Sequence, residues 1–183
     1  FTMSRGAWVA MALAIVLFIL LVDRRLFLPL AAGLVLLVLV PFVRTRIGFL
    51  FTQDFVDANT NGGRGGRWAL GLELLEANGI WTGVGHGMFG GAVAVQNKVL
   101  DYIQYFYIDH YYLKTMVETG YLGLGAFVLM QLGMIVTSCR SICRTGAQWK
   151  AKQSRNYPLV VGMFCGLCGV LVHCFFENIF EEP

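Results

Sequence analysis

Two arginines stand three positions apart in Gly62-Gly63-Arg64-Gly65-Gly66-Arg67, immediately before a helix-forming run. A guanidinium presents its donors in a planar fork that matches phosphate oxygens, and the N–H groups of a helix start form an anion-binding surface of their own. A cation at a helix N-terminus costs about 0.3–1 kcal/mol unless an anion shares the site. The combination points to a bound phosphate-like anion held by Arg67 and Arg64; contact with lipid headgroups is the plainer alternative. Asp109-His110 is the second group. A carboxylate beside an imidazole offers two candidate proton acceptors, or else a structural pair. Secondary candidates are Glu73, His86 within the glycine-rich run 83–91, and His173 with Glu177 at i, i+4. Ionisable groups at membrane depth are functional candidates by default, although the last pair also fits a polar contact reaching the interface. The glycine-rich run lacks the Lys-Ser/Thr of a phosphate-binding P-loop, and Cys165-x-x-Cys168 has no second pair or histidine at metal-site spacing. No metal and no cofactor are expected.

The elements that must hold these residues are set by hydropathy. Hydrophobic residues make up 57% of the 183 residues and charged residues 14%, with mean hydropathy +0.64, a membrane composition rather than that of a soluble domain. Apolar stretches at 7–22, 26–43, 111–138 and 157–176 predict four transmembrane helices. The fold expected is an all-α integral membrane bundle, a single transmembrane domain over 1–183 forming the C-terminal part of a longer polytopic protein. Asp23-Arg24-Arg25 joins the first two stretches, and Arg140, Arg144, Lys150, Lys152 and Arg155 join the last two with no acidic residue among them. Both connections are expected on the cytoplasmic side, which leaves 44–110 as a long outer loop. The net charge of +3 follows from this topology and implies no nucleic-acid partner. No cysteine falls in the outer loop, and the five present read as small apolar packing residues.

Within that loop, 47–60 mixes aromatics with Asp54 and Asp57 and reads as an interfacial segment. Trp68, Leu72 and Leu75 at i, i+4, i+7 predict a short amphipathic helix over 68–78, closed by Asn78-Gly79. Tyr102, Tyr105, Phe106, Tyr107, Tyr111 and Tyr112 suit sugar stacking, and equally a membrane interface. Lys114 and Glu118 are spaced to pair on one helix face. Gly162, Gly166 and Gly169 suggest close helix packing.

Three blocks carry a family resemblance. Thr2-x-Ser4-Arg5-Gly6-Ala7-Trp8 resembles the T-x-S-R-G opening of a helix in the bacterial O-antigen ligase/polymerase family. Arg67-Trp68-Ala69-Leu70 followed by Gly83-Val84-Gly85-His86-Gly87-Met88-Phe89 looks like its R-W … G-x-G-x-G-x-F run. Asp109-His110-Tyr111-Tyr112-Leu113 with Glu118-Thr119-Gly120-Tyr121-Leu122-Gly123 resembles its H-N-x-Y-L … E-x-G-x-x-G signature. Counted back from Glu118-Thr119-Gly120, the family's His position falls on Asp109 and its Asn position on His110.

The resemblance implies a fold like that of the multi-helix membrane glycosyltransferases and a multi-pass place in the bacterial inner or plasma membrane, with the site facing the periplasm or cell exterior. It implies metal-independent transfer of a glycan from a polyprenyl-diphosphate-linked oligosaccharide to an acceptor glycan. Membrane lipids and other polysaccharide export and assembly proteins are the further partners. Arg67, Arg64 and Arg5 would bind the diphosphate, and Asp109 or His110 would take the acceptor proton. The displaced histidine favours a polymerase of O-antigen, capsule or exopolysaccharide repeat units; an O-antigen ligase is the alternative. An anion transporter or channel subunit is the reading from another class. It would require ionisable groups at mid-membrane and an internal repeat, whereas the polar groups cluster in one loop.

Overall fold

A computed structural model describes residues 5–49, 64–96, 108–150 and 156–179. These residues form helices and turns with no strand among them. Helix α1 is Arg5–Val22, followed by a 3-10 turn over Arg24–Leu26 and by α2, Phe27–Leu39, and α3, Pro41–Phe49. Helix α4 is Arg64–Asn78, α5 is Ala92–Gln96, α6 is Tyr111–Lys150 and α7 is Tyr157–His173. The Asp23 carboxylate accepts the Arg25 N–H at 2.9 Å and so caps the turn that reverses the chain after α1.

Helix α6 is long and apolar enough by itself to cross a membrane, while α1 and α7 are shorter apolar helices. The apolar stretch 26–43 folds as two helices meeting at Val40. Pro41 disfavours the helical conformation at Val40 and has no N–H to continue the ladder, but suits the first position of a new helix. At 13 residues, α2 is about 20 Å long, shorter than a bilayer core.

Helices α1, α6 and α7 pack together through small residues. Gly169 of α7 lies against Ala10 and Ala14 of α1, Gly162 faces Phe18, and the Tyr157 hydroxyl donates to the Leu21 carbonyl at 2.9 Å. These pairings run in opposite directions along the two helices, so α1 and α7 are antiparallel. At Gly166, grouped with the other two by sequence, an added Cβ would meet nothing within 4 Å, so no close packing depends on that glycine. Helix α6 doubles back onto α7: the Tyr111 N–H donates to Cys174 O at 2.9 Å, and Gly146 lies beside Tyr157. The start of α1, the start of α6 and the end of α7 thus share one end of the bundle. Arg24, Arg25 and the C-terminal half of α6 with Arg140 and Arg144 lie toward the other.

A broken helix locks the outer loop onto this frame. Gly120 has φ 68° and ψ −173° inside α6, so the ladder is interrupted there. A continuous helix would direct the Tyr121 and Leu122 N–H groups to the carbonyls of Val117 and Glu118. Instead, those carbonyls accept from Val84 N–H and Gly85 N–H, each at 2.9 Å. Tyr121 N–H and Leu122 N–H donate to Ile80 O and Trp81 O at 3.0 and 3.4 Å. The segment after α4 therefore satisfies all four backbone groups orphaned by the break. A Cβ at Gly120 would collide with the Trp81 carbonyl and would also demand a left-handed conformation. We expect Gly120→Ala to lower the amount of folded protein in the membrane several-fold, because left-handed backbone costs about 1–2 kcal/mol and the clash adds to it. Thermal unfolding in detergent checks this; a wild-type midpoint would show that the joint does not need glycine.

Candidate active site at the head of the broken helix

Helix α4 starts at Arg64, four residues before the amphipathic pattern begins, which brings Arg67 into its first turn. The helix ends as its sequence predicts, with Gly79 at φ 112° donating its N–H to Leu75 O at 3.1 Å. Its inner face meets a small core of Phe89, Ile108 and Val117, all fully buried, with Leu70, Leu74, Val84 and Leu113 around them. Gly71 leaves room for the Phe89 ring: a Cβ there would lie 2.6 Å from the ring tip. This packing brings the start of α4 against the start of α6. Arg67 Nη2 donates to Asp109 Oδ2 at 3.1 Å across 42 residues of sequence, with both side chains only partly exposed.

His110, beside Asp109, has a different local role. Its carbonyl accepts the Lys114 N–H at 3.0 Å, and its Nδ1 accepts the Leu113 N–H at 3.1 Å. The ring therefore caps α6, an arrangement that assigns the neutral tautomer with its proton on Nε2. Trp68, Phe175 and Tyr112 surround it edge-on at centroid distances of 5.2, 5.4 and 6.1 Å. Burial among these rings pushes the imidazole below its ordinary pKa, which favours the neutral form.

Glu118 is a further polar centre. Its side chain is 3% exposed; Oε1 accepts the Phe89 N–H at 3.2 Å, and Oε2 lies 3.3 Å from His86 Nδ1. Lys114 Nζ is 3.6 Å from Oε1, so the pair spaced for contact does approach, beyond hydrogen-bond range. Sequence reasoning treated Glu118 only as a partner for Lys114. Its place in the E-x-G block was the available sign that it does more.

The remaining candidates are dispersed. Glu73 is exposed on α4, and His86 is 91% exposed above Glu118. His173 Nε2 and Glu177 Oε2 are 3.1 Å apart at the end of α7. Arg64 and Arg5 are the first residues of α4 and α1, and their side chains lie outside the described residues. Asp54, Asp57, Tyr102, Tyr105, Phe106 and Tyr107 also lie outside them. Among the described residues, no three His, Cys, Asp or Glu side chains are grouped to hold a metal.

The profile of the family described as O-Antigen ligase matches residues 1–128. This chain belongs to that family. The match runs from the first residue into α6 and takes in Arg5, Arg64, Arg67, His86, Asp109, His110 and Glu118. His173, the last residue of the helix that packs against α1, and Glu177, in the turn after it, lie beyond the match. No curated protein and no solved structure matches the chain. Membership in the O-antigen ligase family gives a membrane protein with O-antigen ligase/polymerase-type glycan transfer as its class of activity, and a polyprenyl-linked glycan and an acceptor as its classes of substrate.

Proposed function

We propose that the protein is a membrane glycosyltransferase that polymerises polyprenyl-diphosphate-linked repeat units of O-antigen, capsule or exopolysaccharide at the outer face of the bacterial inner or plasma membrane. The observation that carries this reading is the Arg67–Asp109 pair, one cation and one potential base joined at 3.1 Å within the family-matched segment. In the reaction, an acceptor hydroxyl oxygen attacks the anomeric carbon of the donor's reducing-end sugar, and the bond from that carbon to the diphosphate oxygen breaks. Asp109 takes the hydroxyl proton. Negative charge grows on the departing lipid diphosphate, where Arg67, seconded by Arg64 and Arg5, stabilises it. A guanidinium fork can bridge a carboxylate and a phosphate, so the resting pair keeps both groups ordered until the donor arrives. The chemistry requires no metal, and activity is expected to persist in a chelator.

Asp109, standing at the family's histidine position, favours polymerisation over ligation. Four membrane crossings, with 44–110 outside, agree with the gathering of Arg67, Asp109 and His110 at one end of the bundle and of Arg24, Arg25, Arg140 and Arg144 toward the other. A cysteine at Gln148 should react with an impermeant reagent only after permeabilisation, and one at Glu76 in intact cells; the reverse pattern would move the site to the wrong face. The length of lipid-linked glycans in cells lacking the protein tests the function itself. Accumulated single repeat units are expected. Long chains stranded on the carrier would indicate a ligase, and an unchanged distribution would remove the enzyme reading.

A further inference from the structure

The turn after α4 carries apolar side chains where polar ones are usual. Gly79-Ile80-Trp81-Thr82-Gly83 closes on itself, the Gly83 N–H donating to Gly79 O at 3.0 Å. Ile80 and Trp81 are 44% and 66% exposed. Their carbonyls accept the Tyr121 and Leu122 N–H groups, and Tyr121 and Leu122 are themselves 47% and 64% exposed. The Trp81 and Tyr121 rings meet edge-on with centroids 6.3 Å apart. We propose that these four side chains form a rim seated in the outer lipid interface, and that the rim sets the depth of the Arg67–Asp109 pair inward of the membrane surface. The seat of the rim is independent of the reaction; its effect on transfer rests on the transferase reading above.

Lipid is the occupant that the rest of α6 calls for. No charged residue falls between Tyr121 and Cys139, and Arg140 follows at once. At 1.5 Å per residue that run is about 28 Å long, close to the thickness of a bilayer's hydrocarbon core. Counted from Tyr111 instead, the span would take in Lys114 and Glu118, with the break at Gly120 inside the bilayer. Leu122, Leu129 and Val136 recur every seven residues on one face and are all exposed, so the rim continues into an apolar stripe. Tryptophan and tyrosine are enriched where such a stripe reaches the headgroups. A loose loop would lose entropy on seating there, but the backbone bonds across Gly120 already hold this one in place.

The leg of α6 before Gly120 folds back beside the leg after it. The Tyr112 hydroxyl lies 3.2 Å from Gln131 Oε1 and 3.0 Å from Leu171 O, and the Tyr111 and Tyr112 rings flank Phe127. From Tyr121 to Phe127 the helix rises about 9 Å, so Asp109, at the far end of the folded-back leg, lies roughly that distance inward of the rim. Ionisable groups at such a depth face a polar cleft rather than lipid, and the Arg67 and Asp109 side chains are only partly exposed. The height of the rim therefore decides how far a donor's diphosphate must move from the outer leaflet to reach Arg67.

Trp81 is its own probe. The full-length protein is reconstituted in vesicles of phosphatidylcholine brominated either near the headgroup or near the chain ends. The fluorescence that Trp81→Phe removes is the share belonging to Trp81. Shallow bromines should quench that share more strongly than deep ones, and iodide in the buffer should quench it less than either. Stronger quenching by deep bromines would place the ring in the bilayer interior and overturn the proposal. So would no bromine quenching at all, which would leave water, another part of the chain or a second copy against the ring. Trp81→Glu tests the consequence for transfer. The bonds across Gly120 use the backbone of residue 81 and its side chain is exposed, so the thermal midpoint in detergent should match wild type. Transfer from a lipid-linked donor in vesicles should fall about tenfold, within the range for a reacting group displaced from its substrate. In detergent micelles, where no bilayer fixes a height, transfer by the variant should match wild type. Equal losses in both media, or no loss in vesicles, would overturn the depth-setting role. Shallow quenching without any transfer by wild type would keep the rim and reject the transferase.

Discussion

Arg67→Ala is expected to reduce glycan transfer by about 10²–10³, the effect typical of removing one preorganised donor from a site where charge develops. The lost guanidinium contacts the leaving diphosphate most strongly as the glycosidic bond breaks, so the rate should fall more than donor affinity does. Asp109 also loses its partner at 3.1 Å. Arg67 lies in the first turn of α4 and is not one of the apolar side chains that build the core of Phe89, Ile108 and Val117, so protein levels in the membrane should stay near wild type. Arg67→Lys should recover only part of the rate, because an ammonium keeps the charge but not the planar two-point contact. Transfer from a purified lipid-linked donor in vesicles and polymer length in cells provide the readouts. Full-length polymer from both variants would end the case for an anion site.

Asp109→Asn should cost about 10²–10⁴, the range for a positioned general base, because the amide can still accept from Arg67 Nη2 but cannot take the acceptor's proton. His110→Ala should be milder. Its Nδ1 is occupied by the Leu113 N–H, and the loss is chiefly that of a helix cap, about 1 kcal/mol, together with the contacts to Trp68 and Phe175. The pH response has a definite sign. Burial lowers the His110 pKa, so the neutral form is favoured in the folded protein and its full stabilising contribution is present above the ordinary histidine value. That contribution falls away as the pH drops toward the folded pKa, when protonation of Nδ1 breaks the cap. Thermal midpoints of wild type should therefore decline on acidification more than those of His110→Ala. Near-normal transfer by the Asp109→Asn/His110→Ala double variant would put the base elsewhere, with Glu73 or His173 next.

The amino-acid sequence alone determined the apolar stretches, the amphipathic run that became α4, its end at Asn78-Gly79, and the three ordered blocks that pointed to the family. These are periodic or local properties: a helix face repeats every 3.6 residues, and a left-handed cap calls for glycine within a residue of the helix end. Even there, Pro41 divided a stretch that hydropathy had joined, because backbone geometry overrides apolar content. Only the tertiary structure decided which polar groups meet. The Arg67–Asp109 pair spans 42 residues, and its formation depends on Gly71 admitting the Phe89 ring between α4 and α6. Gly120 sits in an apolar run that reads as unbroken helix. It breaks the helix because Ile80, Trp81, Val84 and Gly85 arrive from another part of the chain to satisfy the four backbone groups left open. The same encounter turned Glu118 from a helix-surface partner of Lys114 into the buried acceptor of the Phe89 N–H. Hydrogen bonds of this kind are made between segments that meet only in the folded chain, so no local pattern encodes them.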